Sequence, residues 1–361
     1  MKPSLFNHRA SRCAAGLIAV AWWSSAFAAD PVSPEFQAGL ATVRAHLDAG
    51  EAGDVLPVGR RLLRSLADDA TVAAADRAQV YALMFEGARR NRNLNGGNVF
   101  ASDLQKDDRR RYGPASVERV PGLYEAARWF DWADLADRER KALNTAVSLL
   151  EQNYGPRDAR LAYPLRQLAS SCVRSRSDAD VARSALDRAL KLEYADTQAD
   201  VLSRAEVFAT RGDVEALFAE PAAGTSWYRA AWQRLADSKL AGPELARKMF
   251  AEPVPIYVNV PDAPFTSRRG NVDHFASGTV SFAFSVSPVG TVEQLRLRQS
   301  LVPMDSVPEP VTHAFRDARY RPRMVAGEPV ATADHGFELR FTRQESAAKR
   351  RIIVGTMEEQ R

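Results

Sequence analysis

GTVSFAFSVSPVGTVEQLRLRQS (278–300) and ARYRPRMVAGEPVATADHGFELRF (318–341) carry the sharpest pattern in the 361-residue chain. Val280, Phe282, Phe284 and Val286 alternate with Ser281, Ala283, Ser285 and Ser287, the two-residue period of a strand with one buried face. Pro288-Val289-Gly290 is a turn, Pro fixing φ and Gly free to take positive φ. Alternation resumes with Val292, Leu295 and Leu297 between Glu293, Arg296 and Arg298. It slips once, at Gln294-Leu295, which predicts a bulge.

After Ser300 the period changes. Val307, Val311, Ala314, Phe315 and Ala318 fall at helical spacing, with Asp305 or Ser306 as the cap and Pro308 in the first turn. The segment from Ala318 to Met324 is extended, because a residue before Pro avoids the α region. Ala326 to Pro329 is a turn. Phe337, Leu339 and Phe341 then alternate with Glu338 and Arg340. The order is strand, strand, helix, strand.

Gly278, Val280, Phe282, Phe284, Val286, Gly290, Val292, Ser300, Tyr320, Pro322, Gly327, Pro329, Val330 and Phe341 fall in the order of a known pattern. Through them the region resembles the C-terminal domain of TonB-type energy transducers. The resemblance implies a small ββαβ domain over 251–343. It also implies a role: capture of a short segment of an outer-membrane transporter from the periplasmic side, as an added strand. The final strand, Val330 to Phe341, is then the open edge, with Val330, His335, Phe337, Leu339 and Phe341 as candidate contacts. Tyr320, Arg321, Pro322 and Arg323 are the candidates beside it. Two copies could also pair through such an edge. Before the first strand the family carries a Y-P-x-x-A segment, which Pro255 to Pro264 fits loosely; Phe250 to Pro264, interrupted by Pro253, Pro255, Pro261 and Pro264, reads as the linker into the second domain.

Upstream, residues 30–250 are rich in Ala, Leu and Arg and read as helices. Gln37, Leu40, Val43 and Leu47 form one amphipathic face. Val55–Leu66 and Ala73–Arg89 follow, separated by Asp68-Asp69-Ala70-Thr71. Arg90 to Pro114 is polar and Gly-Asn rich and is expected to be a long loop. Helices resume at Pro121-Gly122-Leu123. Laying Ala142–Cys172 over Ala182–Gly212 pairs Leu150 with Leu190, Tyr154 with Tyr194 and Ala169 with Ala209, an offset of about 40 residues. With Tyr154-Gly155-Pro156 between two helices, the stretch resembles a degenerate tetratricopeptide repeat, which implies an α-solenoid that holds a protein partner. Pro164 predicts a kink or a later helix start.

Residues 1–29 read as a secretory signal. Lys2, Arg9 and Arg12 precede an apolar core from Cys13 to Trp23, and Ala26-Phe27-Ala28 is a small-x-small cleavage site. The core is shorter than the roughly 20 apolar residues of a membrane span. The expectation is a periplasmic protein; the alternative is an uncleaved anchor, hence an inner-membrane energy transducer. Of the formal charge of +4, three positives lie in that segment. The remainder is nearly neutral, which does not support nucleic-acid binding, and the sequence shows no run of basic residues with interleaved aromatics. Residues 344–361 are expected to be a charged, disordered tail, with Ile352-Ile353-Val354 as an unexplained apolar break.

No catalytic constellation stands out. His46, His274, His313 and His335 lack ligand spacing, and HExxH, CxxC and GxSxG do not occur. Asp334-His335 reads as polar residues opening a strand rather than as an orienting pair. Gly96-Gly97-Asn98 is not a phosphate loop. Trp129 with Trp132, and Trp227 with Trp232, read as helix packing. With Cys13 lost, Cys172 has no disulfide partner and reads as a buried small residue. The sequence therefore implies no cofactor, no metal and no enzyme, and function is expected to lie in surfaces.

Overall fold

The computed structural model describes residues 33–65, 72–195, 197–258, 277–300, 309–344 and 351–357. The signal segment, Asp68–Thr71, His274, and Asp305 to Pro308 lie outside the described residues. An all-helical part is followed by a small region of β-strands. Among the described residues no helix is long and apolar enough to cross a membrane. The chain divides into two compact units, one ending at Pro164 and one beginning at Leu165. The division therefore does not fall at residue 250: the later helices share a unit with the strands.

The first unit holds α1 (Pro34–Asp48), α2 (Ala52–Ser65), α3 (Ala74–Arg90), α4 (Leu94–Tyr112), α5 (Val120–Trp132) and α6 (Ala136–Tyr154). The start of α1 has a local cause. Ser33 accepts a hydrogen bond from the Phe36 amide at 3.2 Å and Pro34 occupies the first position of α1. Phe36, Leu40, Val43 and Leu47 then face inward.

The expected loop at 90–114 is instead α4. Its entry is fixed by Asn93, whose Oδ1 accepts from the Gly96 amide at 2.8 Å. Gly97 sits where a Cβ would come within 2.0 Å of the Trp129 ring. Asn98 Oδ1 accepts from Trp129 Nε1 at 2.8 Å. The Gly-Asn cluster that looks like a loop is thus a cap followed by the close approach of two helices. Trp129 stacks on Phe85 at 5.3 Å and meets Trp132 at 4.9 Å, so that pair belongs to the core.

The second unit begins within α7 (Ala162–Ser175) and continues with α8 (Ala179–Leu190), α9 (Gln198–Phe218), α10 (Thr225–Ala236) and α11 (Gly242–Met249). Pro164 lies in the first turn of α7, where its missing N–H costs nothing. Cys172 is fully buried and forms no disulfide.

The strands are β1 (Val254–Tyr257), β2 (Ser277–Val286), β3 (Val292–Ser300), β4 (Arg319–Arg321), β5 (Arg323–Val325), β6 (Glu328–Val330), β7 (Thr332–Gln344) and β8 (Arg351–Met357), with α12 (Glu309–Arg316) before β4. A four-stranded antiparallel sheet runs β3-β2-β7-β8, and β1-β4 and β5-β6 form two smaller pairs. Phe282, Phe284 and Val286 pack on Phe315, Ala318 and Tyr320, with Val292, Leu295, Leu297 and Phe337 against them.

The slip at Gln294 is real. Ala283 pairs with Arg296 but Ser285 with Glu293, and Gln294 takes φ 51°. That extra residue returns Leu295 and Leu297 to the core face. Gly290 has φ 84°, and a Cβ there would lie 1.9 Å from the Tyr320 carbonyl oxygen. The Tyr320 amide donates to the Gly290 carbonyl at 2.9 Å, so the turn is also a docking point for β4. Ala326 and Gly327, both at positive φ, close the β5-β6 hairpin in the manner of a two-residue primed turn.

Two expectations are corrected. Part of the presumed linker, Val254–Tyr257, is a strand on β4. The presumed disordered tail contains β8, which pairs with Glu338–Gln344 of β7. Ile352-Ile353-Val354, without a place in a disordered tail, lie within that strand.

Candidate functional site

The strand expected to be the open edge lies inside the sheet. From Glu338 to Thr342, β7 has β2 on one side and β8 on the other, and Arg343 and Gln344 continue the pairing with β8. Among the described residues, only its first half, Thr332–Phe337, has no strand on the β8 side. That half is itself irregular. Phe284 pairs with His335 but Val286 with Thr332, and Asp334 takes φ 53°. Asp334 also pairs with Arg296, and with Arg298 at 3.7 Å. Bulges and charge on an exposed edge oppose indiscriminate pairing with other chains. The opposite edge, β3, carries its own bulge at Gln294. Among the described residues the regular open stretch is therefore His335 to Phe337, leading directly into the row occupied by β8.

The candidate residues separate into three groups. His335 and Phe337 are half-buried on the open stretch. The His335 ring lies 5.2 Å from Phe284 and 5.5 Å from Tyr320, and Phe337 lies 4.8 Å from Phe315. Leu339 and Phe341 stand in register between β2 and β8, opposite Thr356 and Val354. Arg323 and Val330 face each other across the β5-β6 hairpin.

Tyr320, Arg321 and Pro322 turn inward instead. Tyr320 is 1% exposed, and Pro322 is buried. Arg321 makes a two-pronged contact with Asp213 on α9, Nε to Oδ1 at 3.0 Å and Nη2 to Oδ2 at 2.5 Å. Tyr228 Oη donates to the same carboxylate at 3.1 Å. Burial pulls the Arg321 guanidinium down, but the Asp213 charge and hydrogen bonds outweigh it and hold the group above its ordinary range. Beside this pair, Met324 enters a cluster with Tyr228, Trp232 and Phe250, and its amide donates to the Phe250 carbonyl at 3.0 Å. Arg229 Nη2 meets Glu328 at 2.6 Å. The strands are thus clamped to α9, α10 and the residue after α11. Asp213 and Tyr228 escape sequence reasoning: they sit singly on helices, and Asp213 is 108 residues from its partner.

A second polar cluster lies in the first unit. Asp108 is 4% exposed and accepts from Tyr81 Oη at 2.9 Å. Burial pushes its carboxyl up to about 6, opposed by the Tyr81 hydrogen bond and by Arg77 and Arg119. Gly122 makes room for it, since a Cβ there would lie 2.0 Å from Oδ2. His46 Nδ1 lies 2.6 Å from Glu51, with Asp54 close by, the one His-carboxylate group among the described residues with metal-compatible spacing. All three are at the surface or half-buried.

No family model matches the chain, and no curated protein matches it. Among solved structures, the crystal structure of BtubC (BKLC) from P. vanneervenii is similar at a TM-score of 0.44 and 16% identity, over 54% of this chain and 77% of that one.

Proposed function

We propose that the protein is a non-enzymatic adaptor of the periplasm. In this account the C-terminal strands form a TonB C-terminal-like domain that captures an extended peptide, such as the N-terminal segment of an outer-membrane transporter. The helices form degenerate tetratricopeptide-like repeats that hold a second protein. One observation supports this above the others. Among the described residues, β7 offers His335–Phe337 with β2 on one side and no strand on the other, continuous with a row that already accepts β8 as an added strand. Unpaired backbone donors and acceptors on such a row gain partners when an extended chain lies alongside. The domain is also held rigid by its clamp to the helices, so little order is lost on binding.

The test uses the full-length protein and a synthetic transporter N-terminal segment. Isothermal titration is expected to give saturable binding. The same peptide with alternate amides N-methylated keeps its side chains but loses its ladder donors, and its binding is expected to fall by about tenfold or more. Equal binding of the two peptides would exclude strand addition.

A further inference from the structure

The first unit carries a groove of about 830 Å³ between α2, α3 and α4, within the roughly 300–1,000 Å³ of ligand-binding clefts. Its floor is apolar and aromatic: Tyr81, Phe100 and Leu104 are buried there, with Leu63 beside them. Its walls are basic, with Arg60, Arg64, Arg77, Arg110 and Arg111 against Asp103 and Asp107. Most of these charges have local work. Arg110 pairs with Asp107 at 2.5 Å, and Arg77 acts on buried Asp108. Arg60 and Arg64 differ. They lie one turn apart on the exposed face of α2, where Arg64 Nε donates to the Arg60 carbonyl at 3.4 Å, and neither faces a carboxylate within ion-pair distance among the described residues. The Arg60 guanidinium lies 5.9 Å from the Phe100 ring centroid, at the mouth of the groove.

We propose that this groove binds an acidic peptide segment of a protein partner, with carboxylates meeting Arg60 and Arg64 and an apolar side chain seated over Phe100 and Leu104. The chemistry selects this occupant. A uniformly anionic backbone such as a nucleic acid would meet Asp103 and Asp107 as well as the arginines. A small anion would leave the apolar floor uncovered. An acidic peptide with an aromatic or aliphatic residue answers both the charge and the floor, and guanidinium groups suit carboxylates by their planar, two-pronged geometry.

The inference rests on the helices being the part that holds a second partner. It is tested on the full-length protein by fluorescence anisotropy with a fluorescein-labelled EEFEE peptide. Binding is expected, and is expected to weaken as salt rises, since exposed charges are screened. The glutamine counterpart QQFQQ is expected to bind at least about tenfold more weakly, and the Arg60→Glu, Arg64→Glu double variant to lose a similar factor. Both arginines are exposed, so the thermal unfolding of that variant should match the parent. The milder Arg60→Gln, Arg64→Gln pair should fall between. Equal binding of the two peptides, an unaffected double variant, or full displacement by inorganic phosphate at matched charge would overturn the proposal. A natural partner that cross-links to the helices away from the groove would also overturn it, while leaving the helices as the partner-holding part.

Discussion

At the scale of single residues, Asp108 is the clearest case of a group held at a cost. Its carboxyl titrates near 6 in the fold, against about 3.9 for an unperturbed aspartate. Between those values the folded chain keeps a proton that the unfolded chain releases. Stability from this group is therefore greatest on the acid side and falls as pH rises through about 6. Above that, the ionised carboxylate costs on the order of 2–3 kcal/mol. Asp108→Asn removes the titration but leaves an oxygen for the Tyr81 hydroxyl. Urea denaturation at about pH 4 and pH 7 should show the wild type losing this much relative to the variant. Parallel pH profiles of the two proteins would refute the assignment. Gly290 is a second such residue: its positive φ and the Tyr320 carbonyl 1.9 Å from a notional Cβ exclude any side chain.

At the scale of elements, the docking of β4 on α9 is what fixes the sheet region on its helices. Arg321→Ala leaves Asp213 largely buried beside Tyr228, without its counter-charge. Breaking one side of such a pair costs about 3–5 kcal/mol. Replacing both partners together, Arg321→Met with Asp213→Leu, should restore most of that loss. Differential scanning calorimetry distinguishes the two; a mild effect of Arg321→Ala would mean that the clamp rests on Met324 and its apolar neighbours instead. How much of this was legible depended on distance along the chain. The β2 alternation, the Gly290 turn and the Gln294 bulge are local patterns and could be read directly. α4 could not, because its cap and its two glycines look like loop residues until Trp129 is placed against Gly97. β8 could not, because three apolar residues among charges do not announce a strand without the neighbour they pair with. The Arg321–Asp213 clamp could not, because each residue alone is an ordinary surface charge.

At the scale of the molecule, the two compact units carry different surfaces. The unit ending at Pro164 presents a basic groove with an apolar floor. The unit beginning at Leu165 presents a sheet bulged at Gln294 and near Asp334 and, among the described residues, a short regular opening on β7. The most direct measurement of the central claim is amide hydrogen exchange, read by mass spectrometry on the full-length protein with and without a saturating transporter N-terminal segment. Strand addition should slow exchange in the peptides covering His335–Phe337 and leave those covering the opposite edge, Val292–Ser300, unchanged. Binding without added protection on β7, or with protection confined to β3, would contradict it.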